Sequence, residues 1–127
     1  MTISSKILKT MTVTALTTMG SFATVHAQTD FPNYQVVSTT NGKIRAGVLA
    51  FKKGDLDKAA MFMRSSLKDG MSPKREAIAQ SNLCAIYGAM GESERAAGAC
   101  KKALKLRPSF APALANNNVL QKAYAKK

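Results

Sequence analysis

Two cysteines are the first candidates for covalent chemistry. Cys84 and Cys100 flank Gly91, seven residues before it and nine after it. If that glycine folds the chain back between two helices, the thiols come to nearly the same height. A disulfide there would close a loop of about 15 residues and stabilise the fold by roughly 3 kcal/mol in the chain-entropy account. The alternative is two small buried thiols in slots that would also suit Gly or Ala. The spacing is not Cys-x-x-Cys, which argues against redox catalysis and against zinc. The one histidine is His26, so residues 28–127 lack the commonest general base and metal ligand. The acids cluster at two turns, Asp55 with Asp57 and Glu92 with Glu94, where carboxylates cap helices and complement their dipoles. Ser38, Ser65 and Ser66 have no partner base, and no Gly-rich phosphate loop occurs. Met61, Met63, Met71 and Met90 read as core filler or adaptable contact. The residues predict no catalytic, cofactor or metal site, and the chain reads as a non-enzyme.

Charge is the second chemical feature. The 127 residues carry 19 Lys and Arg against seven Asp and Glu, a formal net charge of +12. Lys58, Arg64 and Lys68 recur as Arg95, Lys101 and Lys105 at an offset of 37. Arg64 and Lys68 share a helix face, as do Lys101 and Lys105. Stacked, these four would form a convex basic stripe for an anionic surface; the alternative is a solvated face with cations near helix C-termini, where the dipole favours them.

Positioning these residues requires helices, and the breaks between them are legible. Asn41 is an N-cap for a helix to about Lys53, and Gly54-Asp55 ends it. Asp55 caps a second helix from Leu56 to about Lys68, ended by Asp69-Gly70, with Gly70 free to turn left-handed. Ser72-Pro73 starts a third, with Pro at the first helical position, running to about Ala89. After Gly91 a fourth spans about Glu92 to Leu106, stopped by Pro108. Ser109 caps a fifth from about Phe110 to Tyr124. The segment Gly54-Asp55-Leu56-Asp57-Lys58-Ala59-Ala60 matches Gly91-Glu92-Ser93-Glu94-Arg95-Ala96-Ala97 at the same offset of 37, which also aligns Leu67 with Leu104, Gly47 with Cys84 and Leu49 with Ile86. Each unit is helix, glycine turn, helix, and so short a turn makes the helices antiparallel neighbours.

Residues 1–27 read as a signal peptide. Lys6 and Lys9 form the positive start, Met11 to Ala23 the apolar stretch, and Val25-His26-Ala27 the small-residue site, with cleavage after Ala27. That stretch is short and Thr-rich, a poor membrane span, and no transmembrane segment is expected after leader removal. A Ser/Thr-rich organellar transit peptide is the rival reading, but the first Arg is Arg45. Removal takes two of the 19 Lys and Arg and none of the seven acids, leaving about +10. A periplasmic or secreted location follows, in which a disulfide is plausible and the anionic candidates are acidic proteins, lipid headgroups and envelope polymers, not nucleic acid. Residues 28–40 read as a flexible N-terminal arm. The two readings of it are a flexible post-cleavage tail and a docked segment in which Tyr34-Gln35-Val36-Val37 makes a short extended contact.

The pattern over residues 41–127 resembles the tetratricopeptide repeat, whose period is about 34 residues. In the second unit the residues that carry the resemblance are Asn82-Leu83, Tyr87, Gly91, Ala96, Ala103-Leu104 and Pro108. In the first they are Ala46-Gly47, Ala50-Phe51, Gly54-Asp55, Ala59 and Leu67, with Lys43 where the family has an aromatic. The third keeps one helix, with Asn116 in the family's Asn place and Asn117-Asn118 replacing Leu-Gly. The resemblance implies an all-α fold: two hairpins and a C-terminal capping helix, a fragment of a right-handed α-solenoid. It further implies a non-catalytic interaction module that takes a peptide or partner helix on a concave face. Carried over, that face holds Ile44, Val48, Phe51 and Lys52 in unit one. In unit two it holds Ile78, Ser81, Asn82, Ala85 and Gly88-Ala89. Ala115, Asn116, Val119 and Lys122 follow in the last helix. The Lys partners of the family's carboxylate clamp are absent, so no clamp is expected. The alternative for Ile44, Val48 and Phe51 is that they fill the core of a degenerate first unit. The alternative function is a basic envelope protein docking to anionic surfaces through the convex stripe. Homodimerisation by end stacking fits so short an array.

Overall fold

The computed structural model describes residues 33–125. The proposed leader, residues 1–27, and the start of the arm lie outside them. The described chain is all-helical: α1 (Gly42–Lys52), α2 (Leu56–Lys68), α3 (Pro73–Ala89), α4 (Ser93–Leu106) and α5 (Ala111–Ala125).

Local chemistry sets the ends. The Asn41 side chain accepts from the Ile44 N–H at 3.0 Å, Asp55 from the Lys58 N–H at 3.1 Å and Ser72 from the Arg75 N–H at 3.4 Å. Pro73 opens α3, where its missing N–H has no helical acceptor to lose. Glu92 departs from the expected pattern. It occupies the N-cap of α4 but makes no capping bond; its longer side chain instead reaches Arg95 at 3.1 Å. The shorter Asp55, one methylene nearer its backbone, caps the equivalent helix.

The two hairpin turns are built alike. Gly54 and Gly91 have φ of +84° and +81°, a conformation that costs glycine little and other residues more. The Asp55 N–H bonds the Ala50 carbonyl and the Gly54 N–H that of Phe51; the Glu92 and Gly91 N–H groups bond Tyr87 and Gly88 in the same way. Each turn thereby satisfies carbonyls that the ending helix leaves open.

Helix α3 is central among the described helices and touches the other four. Ala77 and every residue from Ala79 to Tyr87 are buried, so α3 has no solvent face over its second half. The main core joins Ile44, Val48, Phe51 and Met63 of the first hairpin to Leu83, Ile86 and Tyr87 of the second and Leu120 of α5. A smaller cluster unites Ala103, Phe110 and Ala113.

The repeat offset is visible in how the hairpins cross. A Cβ on Gly47 would sit 2.8 Å from Met63 Cε and 3.3 Å from the Ala59 carbonyl, so α1 and α2 approach closely there. Adding 37 to Gly47 and Met63 gives Cys84 and Cys100, which are joined by a disulfide with Cα atoms 5.1 Å apart. The same crossing point is held by a close glycine approach in one hairpin and by a covalent bond in the other.

That bond spans 16 residues and should contribute about 3 kcal/mol. Thermal unfolding followed by circular dichroism, with and without reductant, is expected to show the midpoint falling by roughly 10–20 °C on reduction. A fall under about 3 °C would mean that helix packing alone holds the second hairpin.

Candidate functional site

Two asparagines organise the site. Asn82 sits midway along α3 and Asn116 along α5, and both are wholly buried. A buried side-chain amide must find partners for its oxygen and its NH₂ group or lose about 1–3 kcal/mol for each one left unmade. Both find them on the N-terminal arm. The Val37 N–H donates to Asn82 Oδ1 at 2.7 Å, and Asn82 Nδ2 donates back to the Val37 carbonyl at 2.9 Å. The Gln35 N–H donates to Asn116 Oδ1 at 2.7 Å, and Asn116 Nδ2 returns to the Gln35 carbonyl at 2.9 Å. Residues 35 and 37 thus exchange both backbone bonds with a side-chain amide, as a residue of an extended strand does with its neighbour in a sheet. The pairing fixes the amide orientation, because exchanging O and N in either side chain would face donor with donor and acceptor with acceptor.

The walls hold the asparagines in place. Asn116 Nδ2 also donates to the Ser81 carbonyl at 3.1 Å and lies 3.4 Å from its hydroxyl. Asn82 Nδ2 lies 3.8 Å from Met63 Sδ. Among the described residues no buried side-chain N or O lacks a partner.

The arm's side chains complete the contact. The Tyr34 ring lies over Gly88: a Cβ there would stand 2.5 Å from the Tyr34 Cζ and Oη atoms. Only a glycine leaves that slot open. Burial pushes the Tyr34 phenol above its ordinary pKa of 10.0 and keeps it neutral. Tyr34 and Val36 pack on the main core, and Val37 joins Ile78 against the smaller cluster. Gln35 is exposed. The docked segment, one of the two readings left open for the arm, is the one the structure takes.

The sequence-derived site residues fall into distinct groups. Asn82 and Asn116 grip the arm, Ser81 orients Asn116, and Ile78 packs with Val37. Ala85 is wholly buried and Val119 half-buried. Lys52 is exposed in the last turn of α1. Ile44, Val48 and Phe51 are 0, 3 and 7% exposed. The open face assigned to them is therefore corrected: they fill the core of the first unit, where no early aromatic supplies that volume, in one cluster with Met63, Leu83 and Ile86. On the other helices Arg64, Lys68, Lys101 and Lys105 are all exposed, and Arg64 Nη1 turns to the Tyr87 hydroxyl at 3.4 Å. No described helix is long and apolar enough to cross a membrane. Gly88 was placed on the concave face and Met63 among the core or contact methionines, but the Tyr34 ring over Gly88 and the Asn82 amide beside Met63 were not expected. The spacing of 34 between Asn82 and Asn116 and the alternation in Tyr34-Gln35-Val36-Val37 are the signals that could have joined arm to groove.

The geometry predicts alternate protection along the arm. In hydrogen exchange followed by NMR, the Gln35 and Val37 amides should exchange at least about tenfold more slowly than that of Val36, and Asn82→Ala should abolish the effect at Val37. Uniform fast exchange over residues 34–38 would contradict the docked arm.

Comparison of the chain with family models, with curated proteins and with solved structures returns no match.

Proposed function

We propose that the chain is a small exported interaction module of the tetratricopeptide kind. It grips an extended peptide between α3 and α5, and its own arm is the resident occupant. The observation that carries this reading is the pair of buried asparagines, each exchanging two bonds with backbone rather than with side chains. Backbone recognition of that form accepts any extended segment, and the side-chain slots then select among them. The arm shows what the slots accept: an aromatic ring over Gly88, then apolar β-branched residues at the Val36 and Val37 places. A partner segment of the form aromatic-x-aliphatic-aliphatic would meet the same groups. The Asn82–Asn116 spacing of 34, equal to the usual repeat period, supports the tetratricopeptide reading. The matched turns at Gly54 and Gly91 support it too.

Export to the periplasm or beyond is supported by the leader pattern in residues 1–27 and by the Cys84–Cys100 bond, since disulfides persist in oxidising compartments. No catalytic step is assigned. A second reading, docking of the convex face to an anionic envelope surface, is favoured by Arg64, Lys68, Lys101 and Lys105, which are exposed and pair with no described acid. Salt separates the two: the electrostatic contact weakens steeply between about 0.05 and 0.5 M, whereas the backbone grip does not.

The tethered arm competes at an effective concentration on the order of millimolar, so weakening it should open the groove. A fluorescein-labelled peptide spanning residues 31–40 is added to the full chain. Tyr34→Ala is expected to bind it at least about tenfold more tightly than the unsubstituted chain, and the double variant Tyr34→Ala with Gly88→Ala to lose that gain. Equal, negligible binding to all three would overturn the peptide-groove reading.

A further inference from the structure

A second concavity, of about 340 Å³, lies between α2, α3 and α4. Its chemistry is unlike that of the arm groove. Leu67, Leu83 and Ala99 give it a mostly apolar floor that the Gln80 amide interrupts, and Gly98 adds no side chain to fill it. Arg64, Arg95 and Lys102 stand around it from two different helices.

One residue places both arginines. The Tyr87 hydroxyl receives Arg64 Nη1 at 3.4 Å, and the Arg95 guanidinium carbon lies 4.9 Å from the centre of the Tyr87 ring. Tyr87 itself is 6% exposed, so it is a fixed post rather than a mobile surface group. The positive charge so gathered is only partly answered within the chain. Glu92 pairs with Arg95 at 3.1 Å, while Arg64 and Lys102 pair with no acid among the described residues. Like charges held around one cavity repel, and an anion entering it relieves that repulsion. An apolar floor beneath a cationic rim suits a ligand with both characters.

We propose that this cavity is a binding site for a small amphiphilic acid: an anionic head met by Arg64, Arg95 and Lys102, and a short apolar tail laid on Leu67, Leu83 and Ala99. Tyr87 is a positioning residue, acting through the two guanidinium groups. The site is independent of the peptide groove, and either can fail without the other.

The test uses the full chain and three probes read by amide chemical shifts: octanoate, acetate and octylammonium. Octanoate is expected to shift Tyr87, Gly98 and Ala99 and to leave Gln35 and Val37 unmoved. Acetate, with head but no tail, should bind at least about tenfold more weakly, and octylammonium, with tail but opposite charge, should not bind there. The double variant Arg64→Met with Lys102→Met changes two exposed side chains and should lose octanoate affinity at least about tenfold, with its helical content unchanged. Acetate binding as well as octanoate would overturn the proposal. So would octylammonium binding at the same residues, undiminished octanoate affinity in the double variant, or octanoate shifts confined to the arm.

Discussion

The rest of the structure depends on the need of two buried amides for a backbone to bind. Asn82 and Asn116 lie in the packed interior on helices belonging to different units, and nothing on those helices satisfies both ends of both amides. The arm does so with four hydrogen bonds of 2.7–2.9 Å. Without it, each amide would be left facing a groove where water must replace good geometry, at a cost of about 1–3 kcal/mol per unmet group. The helical array and the arm are therefore one folding unit, in which the segment before residue 41 acts as a short strand laid against side chains instead of against a sheet. Under the proposed function the same need would set the groove's selectivity: an occupant must be extended, and must offer an N–H and a carbonyl at alternate residues.

The two hairpins carry the groove by different means. In the first, glycine at position 47 lets α1 and α2 touch, and Ile44, Val48 and Phe51 fill the space beside them. In the second, a disulfide occupies the equivalent crossing, between Cys84 and Cys100. The covalent bond lies in the unit that bears Asn82, Ser81 and Gly88, the unit with most to hold still. Helix α3 contributes all three residues and is buried from Ala79 to Tyr87, where Asn82 bonds the arm and Ser81 bonds Asn116.

The local features were legible in the sequence and the long-range ones were not. Asn41, Asp55 and Ser72 announce caps, Pro73 a first turn, and Gly54 and Gly91 left-handed breaks, because each of these effects acts within a few residues. The internal offset of 37 placed the hairpins, and the cysteines beside Gly91 could be set at one height from counting alone. Glu92 misled, since a cap was read from its charge while the length of its side chain took it to Arg95. Ile44, Val48 and Phe51 also read as open surface or as core; their packing in one cluster with Ala59, Ala60 and Met63 of α2 and with Leu83 and Ile86 of α3 decided between them. The asparagines matched a familiar pattern, but their partners lie 45 and 81 residues away, beyond any periodicity argument.

The contact that most directly tests the account is the ring of Tyr34 over Gly88. A nuclear Overhauser experiment on the full chain should give strong cross-peaks between the Tyr34 ring protons and the Gly88 α-protons, because the ring stands where a Cβ would otherwise be. If those cross-peaks are absent while Asn82 and Asn116 show side-chain NH₂ resonances exchanging freely with water, the groove is empty and the amides are solvated, and the account fails at its foundation.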